Sequence, residues 1–363
     1  MDATRSLPGR RFGRPGLGWL GGAGLLLAAW PAIGQAGADH HAIDWLELAM
    51  GMVGGLALFL YGVDLLATAL KQAQGGRFQK LLAHSSANRI AALGSGTVAT
   101  ILLDSSSVVI ILLITVVDAG LVPFAKALPV ILGANIGTTF SSQLFAWNVD
   151  TFAPVAIAGG LLWKALARSD RARRWATILL GLGLVLFGLN IIGTAAEPLQ
   201  QQPAVIDWLK QLESPLLGVA AGALATIAIQ SSSAMMGIVI TLAGGGLITL
   251  PAGIAIMLGA EIGTCADTLV ATAGRSRAAV KAGIFHLLFN IASVAIGILL
   301  IGWLAAFGAA TAGDVGQRIA NAHVLFNVAG ALALLPFTGA VVGLLDRLVP
   351  EREDAQSPVA ATT

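Results

Sequence analysis

The sequence predicts an all-α polytopic membrane protein that consists of two inverted repeats, each with a re-entrant helical hairpin, and of flanking transmembrane helices. Its 363 residues are 56% hydrophobic and only 11% charged, whereas a soluble domain has about 45–50% apolar and about 25% charged residues. The 45 glycines suit a helical bundle in lipid, because glycine lets helix backbones approach closely. The repeats are predicted because one pattern of polar residues occurs twice along the chain.

This composition excludes several classes of protein. A mean hydropathy of +0.83 rules out a water-soluble enzyme and a disordered chain. A net charge of +2 leaves no basic face, so we exclude nucleic acid as a partner and expect the lipid bilayer instead. Cys265 is the single cysteine, which excludes a disulfide framework and a thiolate metal cluster.

The first 38 residues resemble a targeting segment. Four arginines precede an apolar stretch over residues 17–33, and a small-residue site follows at Ala36-Gly37-Ala38. A basic region, a short apolar region and a small-residue end are typical of a secretory signal peptide. We therefore assign residues 1–38 to a signal peptide or an N-terminal tail, with an uncleaved first helix as the alternative.

Apolar segments long enough to cross the ~30 Å hydrocarbon core occupy six ranges, and 151–167 is a shorter seventh candidate. The six are 46–70, 124–147, 175–196, 250–273, 280–307 and 319–346.

Two further apolar stretches, 90–120 and 216–247, are each interrupted by a polar cluster. Each arm has about 14 residues, which is short for a full crossing. A polar break at membrane depth is tolerated only where the backbone faces protein or a wet cavity. We therefore predict two re-entrant hairpins that enter and leave on one side.

Basic residues concentrate in three loops, at 71–89, 168–174 and 275–281, and the intervening loops hold few of them. With hairpins that do not cross, all three basic loops lie on one face, which the positive-inside rule makes cytoplasmic. We predict a multi-pass protein of the plasma (inner) membrane, with the N-terminus outside and a cytoplasmic tail at 347–363.

The two polar clusters belong to a longer repeat. Gln230 follows Asp104 by 230 − 104 = 126 residues, and the same shift aligns the segment GANIGT at 133–138 with GAEIGT at 259–264. Chance similarity between apolar helices would not align the polar residues as well. The predicted organisation is inverted repeat 1 at 46–167 with its hairpin at 90–120, inverted repeat 2 at 175–307 with its hairpin at 216–247, and a C-terminal transmembrane helix at 319–346.

The predicted sidedness makes the two copies antiparallel. Inverted repeats whose broken helices meet at mid-membrane are the architecture of secondary transporters. Alternating access follows, because each half can adopt the conformation of the other.

The polar clusters have the chemistry of an anion site. Hydroxyls and free N–H groups at a helix N-terminus bind anions, since the helix dipole supplies partial positive charge. No Lys or Arg lies deep in a predicted span, so an anion would also need a co-bound cation. The alternative is that these hydroxyls only connect helices by hydrogen bonds. The candidate anion-binding residues are Ser105, Ser106, Ser107, Gln230, Ser231, Ser232 and Ser233.

A second set of polar residues suits a cation. Carbonyl and hydroxyl oxygens in glycine-rich helix segments suit a hard cation such as sodium, and intramembrane carboxylates mark ion or proton paths. Asp104 and Glu261 occupy the positions equivalent to Gln230 and Asn135. The candidate residues for coupling to a cation (sodium) or a proton are Asp104, Asn135, Thr138, Thr139, Glu261 and Thr264.

Two segments have the pattern His-x-x-Phe-Asn, with His286 and Asn290 in the first and His323 and Asn327 in the second. The spacing i, i+4 places imidazole and amide on one helix face. Two interpretations stay open: a gate or proton relay, and interhelical hydrogen bonds at a packing contact. Neither segment has a counterpart at the 126-residue shift.

These motifs resemble the type II sodium/phosphate cotransporter family, which has bacterial and animal members. The resemblance covers about residues 46–346 and rests on the motifs QSSSA at 230–234, GANIGTT at 133–139, LFLYG at 58–62 and the two His-x-x-Phe-Asn segments. It implies sodium-coupled symport of inorganic phosphate, with phosphate in the serine hairpins, sodium nearby and no cofactor. A homodimer is left open.

The chain departs from the family pattern at two positions, with Asp104 where Gln is usual and Glu261 where Asn is usual. Added carboxylates repel an anion unless cations or protons neutralise them. Transport of another oxyanion, or coupling to protons through these two acids, is therefore the alternative. A more remote one is an intramembrane serine hydrolase, which needs an activated serine beside a base; two symmetric serine triplets argue against it and against any enzyme.

Overall fold

The computed structural model describes residues 43–74, 88–147 and 149–350, and every regular element in these ranges is helical. The predicted segment 1–38 lies outside the described residues, as does 351–363 of the predicted tail. The α-helices are α1 (Trp45–Gln74), α2 (Arg89–Leu103), α3 (Ser106–Asp118), α4 (Phe124–Ala146), α5 (Ala153–Leu166), α6 (Asp170–Ala196), α7 (Pro203–Lys210), α8 (Pro215–Ile229), α9 (Ser232–Gly244), α10 (Leu250–Gly263), α11 (Cys265–Val270), α12 (Arg277–Leu299), α13 (Ile301–Thr311), α14 (Val315–Leu334) and α15 (Thr338–Leu348).

Six helical segments within the described ranges are long and apolar enough to cross a membrane, which confirms the predicted all-α polytopic class. The shorter candidate at 151–167 is among them, as the segment Val149–Leu166. The other five are Trp45–Ala73, Asp170–Gln201, Leu250–Val270, Arg277–Leu299 and Val315–Leu348.

Two predicted spans compare differently with the structure. The span at 124–147 is the helix α4, which is not among the six; 16 of its 23 residues are buried, a share close to the 72% of Leu250–Val270, which is among them. The span at 280–307 is wrong as one helix, because α12 ends at Leu299. The chain turns at Leu300, whose φ is −103° and ψ 11°, and α13 then packs against α14.

The two predicted hairpins correspond to α2–α3 and α8–α9. Their arms have 15 and 13 residues in both cases, and 13 residues of α-helix extend only about 20 Å. Ahead of the second hairpin lies α7, which none of the predicted apolar segments covers. The segment Pro203–Glu213 meets α8 at a bend of 98°.

Each hairpin is fixed to the helix that follows it by direct backbone contact. A Cβ atom on Gly96 would lie 2.0 Å from the carbonyl oxygen of Val130, so α2 and α4 touch through a glycine. The equivalent contact joins α8 and α10, where a Cβ on Gly222 would lie 2.1 Å from the oxygen of Ile256. Both residues of the second contact follow those of the first by 222 − 96 = 256 − 130 = 126 positions.

The helices α1 and α6 pack against each other in antiparallel directions. Gly51 faces Ala195 near one end, and Gly62 faces Val185 near the other. Residue numbers therefore rise along α1 as they fall along α6. Gly188, which follows Gly62 by 126 positions, faces Phe59. The contact is thus symmetric with respect to the sequence repeat, as a two-fold relation between the two helices requires.

Candidate substrate-binding site

The two helix breaks share an uncommon backbone conformation. Asp104 (φ 51°) and Gln230 (φ 60°) are the positive-φ residues other than glycine in the described ranges, and they end α2 and α8 in the left-handed region. A left-handed conformation at such a residue costs about 1–3 kcal/mol, and strain of this kind is found at functional sites. Both breaks are therefore candidate ligand-binding positions.

The serines after each break form the N-terminus of the next helix. The hydroxyls of Ser105 and Ser231 accept hydrogen bonds from the N–H groups of Val108 (3.3 Å) and Ala234 (3.1 Å), so these two serines are N-caps of α3 and α9. The first N–H groups of a helix have no partner within the helix. Each break therefore leaves backbone donors free.

Both breaks line one cavity. The hydroxyls of Ser106, Ser232 and Ser233 have no protein partner in the described part of the chain, and none of the lining residues is Lys or Arg. Two helix N-termini and these hydroxyls thus converge on one space, which is the chemistry of an anion site. The lining residues are Asp104, Ser105, Ser106, Ser107, Gln230, Ser231, Ser232, Ser233 and Thr264.

One carboxylate lies in this cavity. Asp104 accepts a hydrogen bond from the hydroxyl of Ser141, a residue of α4 that the sequence analysis did not single out. Ser107 and Thr264 lie 3.1 Å apart, oxygen to oxygen, and so join the first hairpin to the end of α10. The cavity is thereby built from both copies of the sequence repeat.

The remaining candidate cation residues lie outside this lining. Asn135, Thr138, Thr139 and Glu261 are buried. The hydroxyls of Thr138 and Thr139 donate to backbone oxygens of their own helix, at 2.6 and 2.8 Å. Their lone pairs remain available to a cation, since a hydroxyl that donates once can still accept.

Three buried side-chain oxygens lack a hydrogen-bond partner among the described residues: Thr100 Oγ1, Asn135 Oδ1 and Thr226 Oγ1. An unpaired buried oxygen costs about 1–3 kcal/mol, and a hard cation would satisfy it. Thr100 and Thr226 are not among the candidates named from the sequence. The signal that could have found them is the repeat, because 226 − 100 = 126.

Glu261 is held by the second His-x-x-Phe-Asn segment. Its Oε1 lies 2.8 Å from His323 Nε2 and 2.8 Å from Asn327 Nδ2. His323 Nδ1 lies 2.8 Å from the hydroxyl of Ser142. A neutral imidazole that donates from Nε2 accepts at Nδ1, so Ser142 is then the donor.

The first His-x-x-Phe-Asn segment makes a related set of contacts. His286 Nδ1 lies 2.9 Å from Thr268 Oγ1, and Asn290 accepts a hydrogen bond of 3.0 Å from the amide of Asn135. The partners of the two segments are equivalent in the repeat: Thr268 corresponds to Ser142, and Glu261 to Asn135, since 268 − 142 = 261 − 135 = 126. Each segment thus forms interhelical hydrogen bonds to both copies.

The chain is similar to a known family and to several known proteins. The sequence model of the Na+/Pi-cotransporter family matches residues 58–194 and 201–333. The uncharacterized protein YqeW of Bacillus subtilis is 30% identical over 298 residues, which are 82% of this chain and 97% of YqeW.

Two further relatives have names that mention phosphate. The putative inorganic phosphate export protein YjbB of Escherichia coli K12 is 26% identical over 79% of this chain, which spans only 53% of YjbB. The sodium-dependent phosphate transport protein 2A of rabbit (Oryctolagus cuniculus) is 33% identical over 29% of this chain and 16% of its own length. No solved structure matches. Because the family match covers most of the chain, the chain belongs to the Na+/Pi-cotransporter family.

Proposed function

We propose that this protein is a secondary transporter in the plasma (inner) membrane that moves inorganic phosphate together with sodium. The observation that carries the proposal is the cavity where two helix N-termini and three unpartnered serine hydroxyls of the described chain meet. The names of the relatives from E. coli and rabbit support phosphate as the substrate.

The chemistry of the cavity suggests how phosphate is held. The hydroxyls of Ser106, Ser232 and Ser233 and the free N–H groups at the starts of α3 and α9 donate hydrogen bonds to phosphate oxygens. Hydrogen bonds to an ionised group contribute about 1.5–3 kcal/mol each. No Lys or Arg lines the cavity. The affinity for phosphate therefore depends on a co-bound cation, which supplies the positive charge.

Asp104 gives a physical reason for coupling. Two like charges about 4 Å apart repel by about 4 kcal/mol at an effective dielectric constant of 20, so an ionised Asp104 in the lining opposes phosphate. Sodium bound near the carboxylate removes this repulsion. The unpartnered oxygens of Thr100, Asn135 and Thr226 are the further candidate ligands of sodium.

We base alternating access on the two predicted inverted repeats, 46–167 and 175–307. The antiparallel contact of α1 with α6 supports it, as do the equivalent glycine contacts of the two hairpins. If the halves are related by a two-fold axis in the membrane plane, each adopts the conformation of the other in turn, and the cavity opens to either side. With the three basic loops on the cytoplasmic face and α4 counted as a seventh crossing, the N-terminus is outside and the C-terminus cytoplasmic.

Reconstitution tests the proposal. In proteoliposomes that contain the purified chain, we expect labelled phosphate to accumulate when an inward sodium gradient is imposed and not when potassium replaces sodium. Loading the vesicles with phosphate and reversing the gradient measures export, the direction in the name of YjbB. Uptake driven by a pH gradient and indifferent to sodium would instead favour proton coupling, and preference for sulfate would favour another oxyanion.

Asp104→Gln is expected to change the cation dependence of transport more than Ser232→Ala does. The first substitution removes the carboxylate of the cavity, and the second removes only a hydroxyl donor. Measuring the initial rate against sodium concentration for each variant separates the two effects. Equal losses of rate with unchanged sodium dependence would contradict the role of Asp104.

A chain of hydrogen bonds bears on the alternative function, an intramembrane serine hydrolase. Ser142, His323 and Glu261 are connected by two hydrogen bonds of 2.8 Å. The order serine, histidine, acid is that of a serine hydrolase, but the two ring nitrogens are exchanged, because there the serine meets Nε2 and the acid meets Nδ1. However, Ser142 is completely buried and does not line the cavity, so a substrate cannot reach its hydroxyl in this conformation. Covalent labelling of Ser142 by a fluorophosphonate would support the hydrolase.

A further inference from the structure

A second cavity lies between α1, α5 and α6, away from the cavity lined by Ser105–Ser107 and Ser231–Ser233, which we call the serine cavity. None of its lining residues also lines the serine cavity. It is the larger of the two. The proposed transport of phosphate does not use it.

The lining of this cavity is basic. Lys164, Arg173 and Arg174 contribute three positive charges and Asp170 one negative charge, so the net charge is 3 − 1 = +2. In the described part of the chain, the side chains of the three basic residues have no hydrogen-bond or ion-pair partner.

The rest of the lining is mixed. Leu65 and Ala69 of α1 present apolar surface, whereas Thr68, Gln72 and Thr177 present hydroxyl and amide groups. A free inorganic ion needs only the polar part. A lipid needs both, because its phosphate is attached to a glycerol and two acyl chains.

Two tryptophans place this cavity at the level of the lipid headgroups. Trp163 of α5 and Trp175 of α6 are 45% and 48% exposed and adjoin the basic lining residues in the sequence. Tryptophan is enriched at the membrane–water interface. The loop 168–174, which contains Arg173 and Arg174, lies on the predicted cytoplasmic face, where anionic lipids attract basic residues.

We propose that this cavity binds the phosphate headgroup of an anionic phospholipid. The planar guanidinium groups of Arg173 and Arg174 suit two-pronged hydrogen bonding to phosphate oxygens, and Lys164 adds a third positive charge. A zwitterionic lipid is disfavoured, because its own ammonium or choline group meets the same positive field. The acyl chains then extend along Leu65 and Ala69.

Native mass spectrometry of the purified full chain in detergent, titrated with phosphatidylglycerol or phosphatidylcholine, tests the proposal. For R173Q/R174Q we expect the affinity for phosphatidylglycerol to fall about 30-fold, which corresponds to about 1 kcal/mol for each basic residue removed. R168Q/R171Q is the matched control, because it removes two charges from the same loop but neither residue lines the cavity. We expect it to change the affinity less than twofold.

Other results of this titration support or overturn the lipid site. Retention of phosphatidylglycerol by R173K/R174K, which keeps the charge, supports the site and shows that charge rather than guanidinium shape provides the affinity. A thermal unfolding midpoint of R173Q/R174Q equal to that of the parent chain shows that its loss of lipid is not misfolding. Equal losses in R173Q/R174Q and R168Q/R171Q, or equal affinity for phosphatidylcholine, overturn the proposal in favour of unspecific attraction. Displacement of the lipid by millimolar inorganic phosphate overturns it in favour of a free-anion site.

Discussion

Replacing Ser106 and Ser232 together by alanine is expected to lower phosphate uptake into proteoliposomes by about 100-fold or more at subsaturating phosphate. Both hydroxyls line the cavity, and neither has a protein partner in the described ranges, so their hydrogen bonds are available to phosphate. Each hydrogen bond to a charged group is worth about 1.5–3 kcal/mol. Two lost donors therefore remove about 3–6 kcal/mol of binding to the anion.

Ser95→Ala is the control for this double variant. Ser95 is also a buried serine, but its hydroxyl donates to the backbone oxygen of Ala92 in its own helix at 2.7 Å. Its removal should leave the uptake rate within about twofold, because a side-chain bond to the helix backbone adds little stability. If the S106A/S232A variant transports as well as S95A, the serine cavity does not hold the phosphate.

Gly96→Ala is expected to destabilise the protein by about 3 kcal/mol or more. The added Cβ would lie 2.0 Å from the carbonyl oxygen of Val130 and 3.0 Å from the backbone nitrogen of Ala134. Backbone atoms of α4 cannot rotate away as a flexible side chain can, so α2 and α4 must separate. Overpacking of a tight contact costs about 1–3 kcal/mol and sometimes more.

Gly94→Ala is the matched control in the same helix. A Cβ at this position meets no atom within 4 Å, and alanine is favoured over glycine in a helix interior by about 0.5–1 kcal/mol. Thermal unfolding of the purified variants in detergent measures both effects. We expect a lower midpoint for Gly96→Ala and an unchanged or higher one for Gly94→Ala, and equal midpoints would contradict the close contact of α2 with α4.

The class of the protein and the positions of both helix breaks could be predicted from the sequence. Hydropathy located most of the helices, since lipid requires long apolar segments. Asp104 and Gln230 interrupt two such segments, and the structure ends a helix at each of them. The 126-residue repeat relates the two clusters in the sequence itself.

Some features could not be predicted because they depend on neighbours distant in the chain. The turn at Leu300 has no proline or polar residue to mark it, and α13 packs there against α14. The sequence predicts a span at α4, but only the structure shows that its polar residues Asn135 and Ser142 form hydrogen bonds to other helices. Nothing in the sequence of their helices distinguishes Thr100 and Thr226 from other threonines. Only the structure shows that their hydroxyls are buried without a partner among the described residues.

By itself, the sequence determined the helical membrane class, the family and the residues at the two breaks, because apolar length, residue type and spacing are local properties. Only the tertiary structure decided that these breaks face one cavity and that the two His-x-x-Phe-Asn segments contact equivalent residues of both copies. These contacts join residues up to 181 positions apart. Helix packing sets such distances, and the residue spacing within a single helix does not.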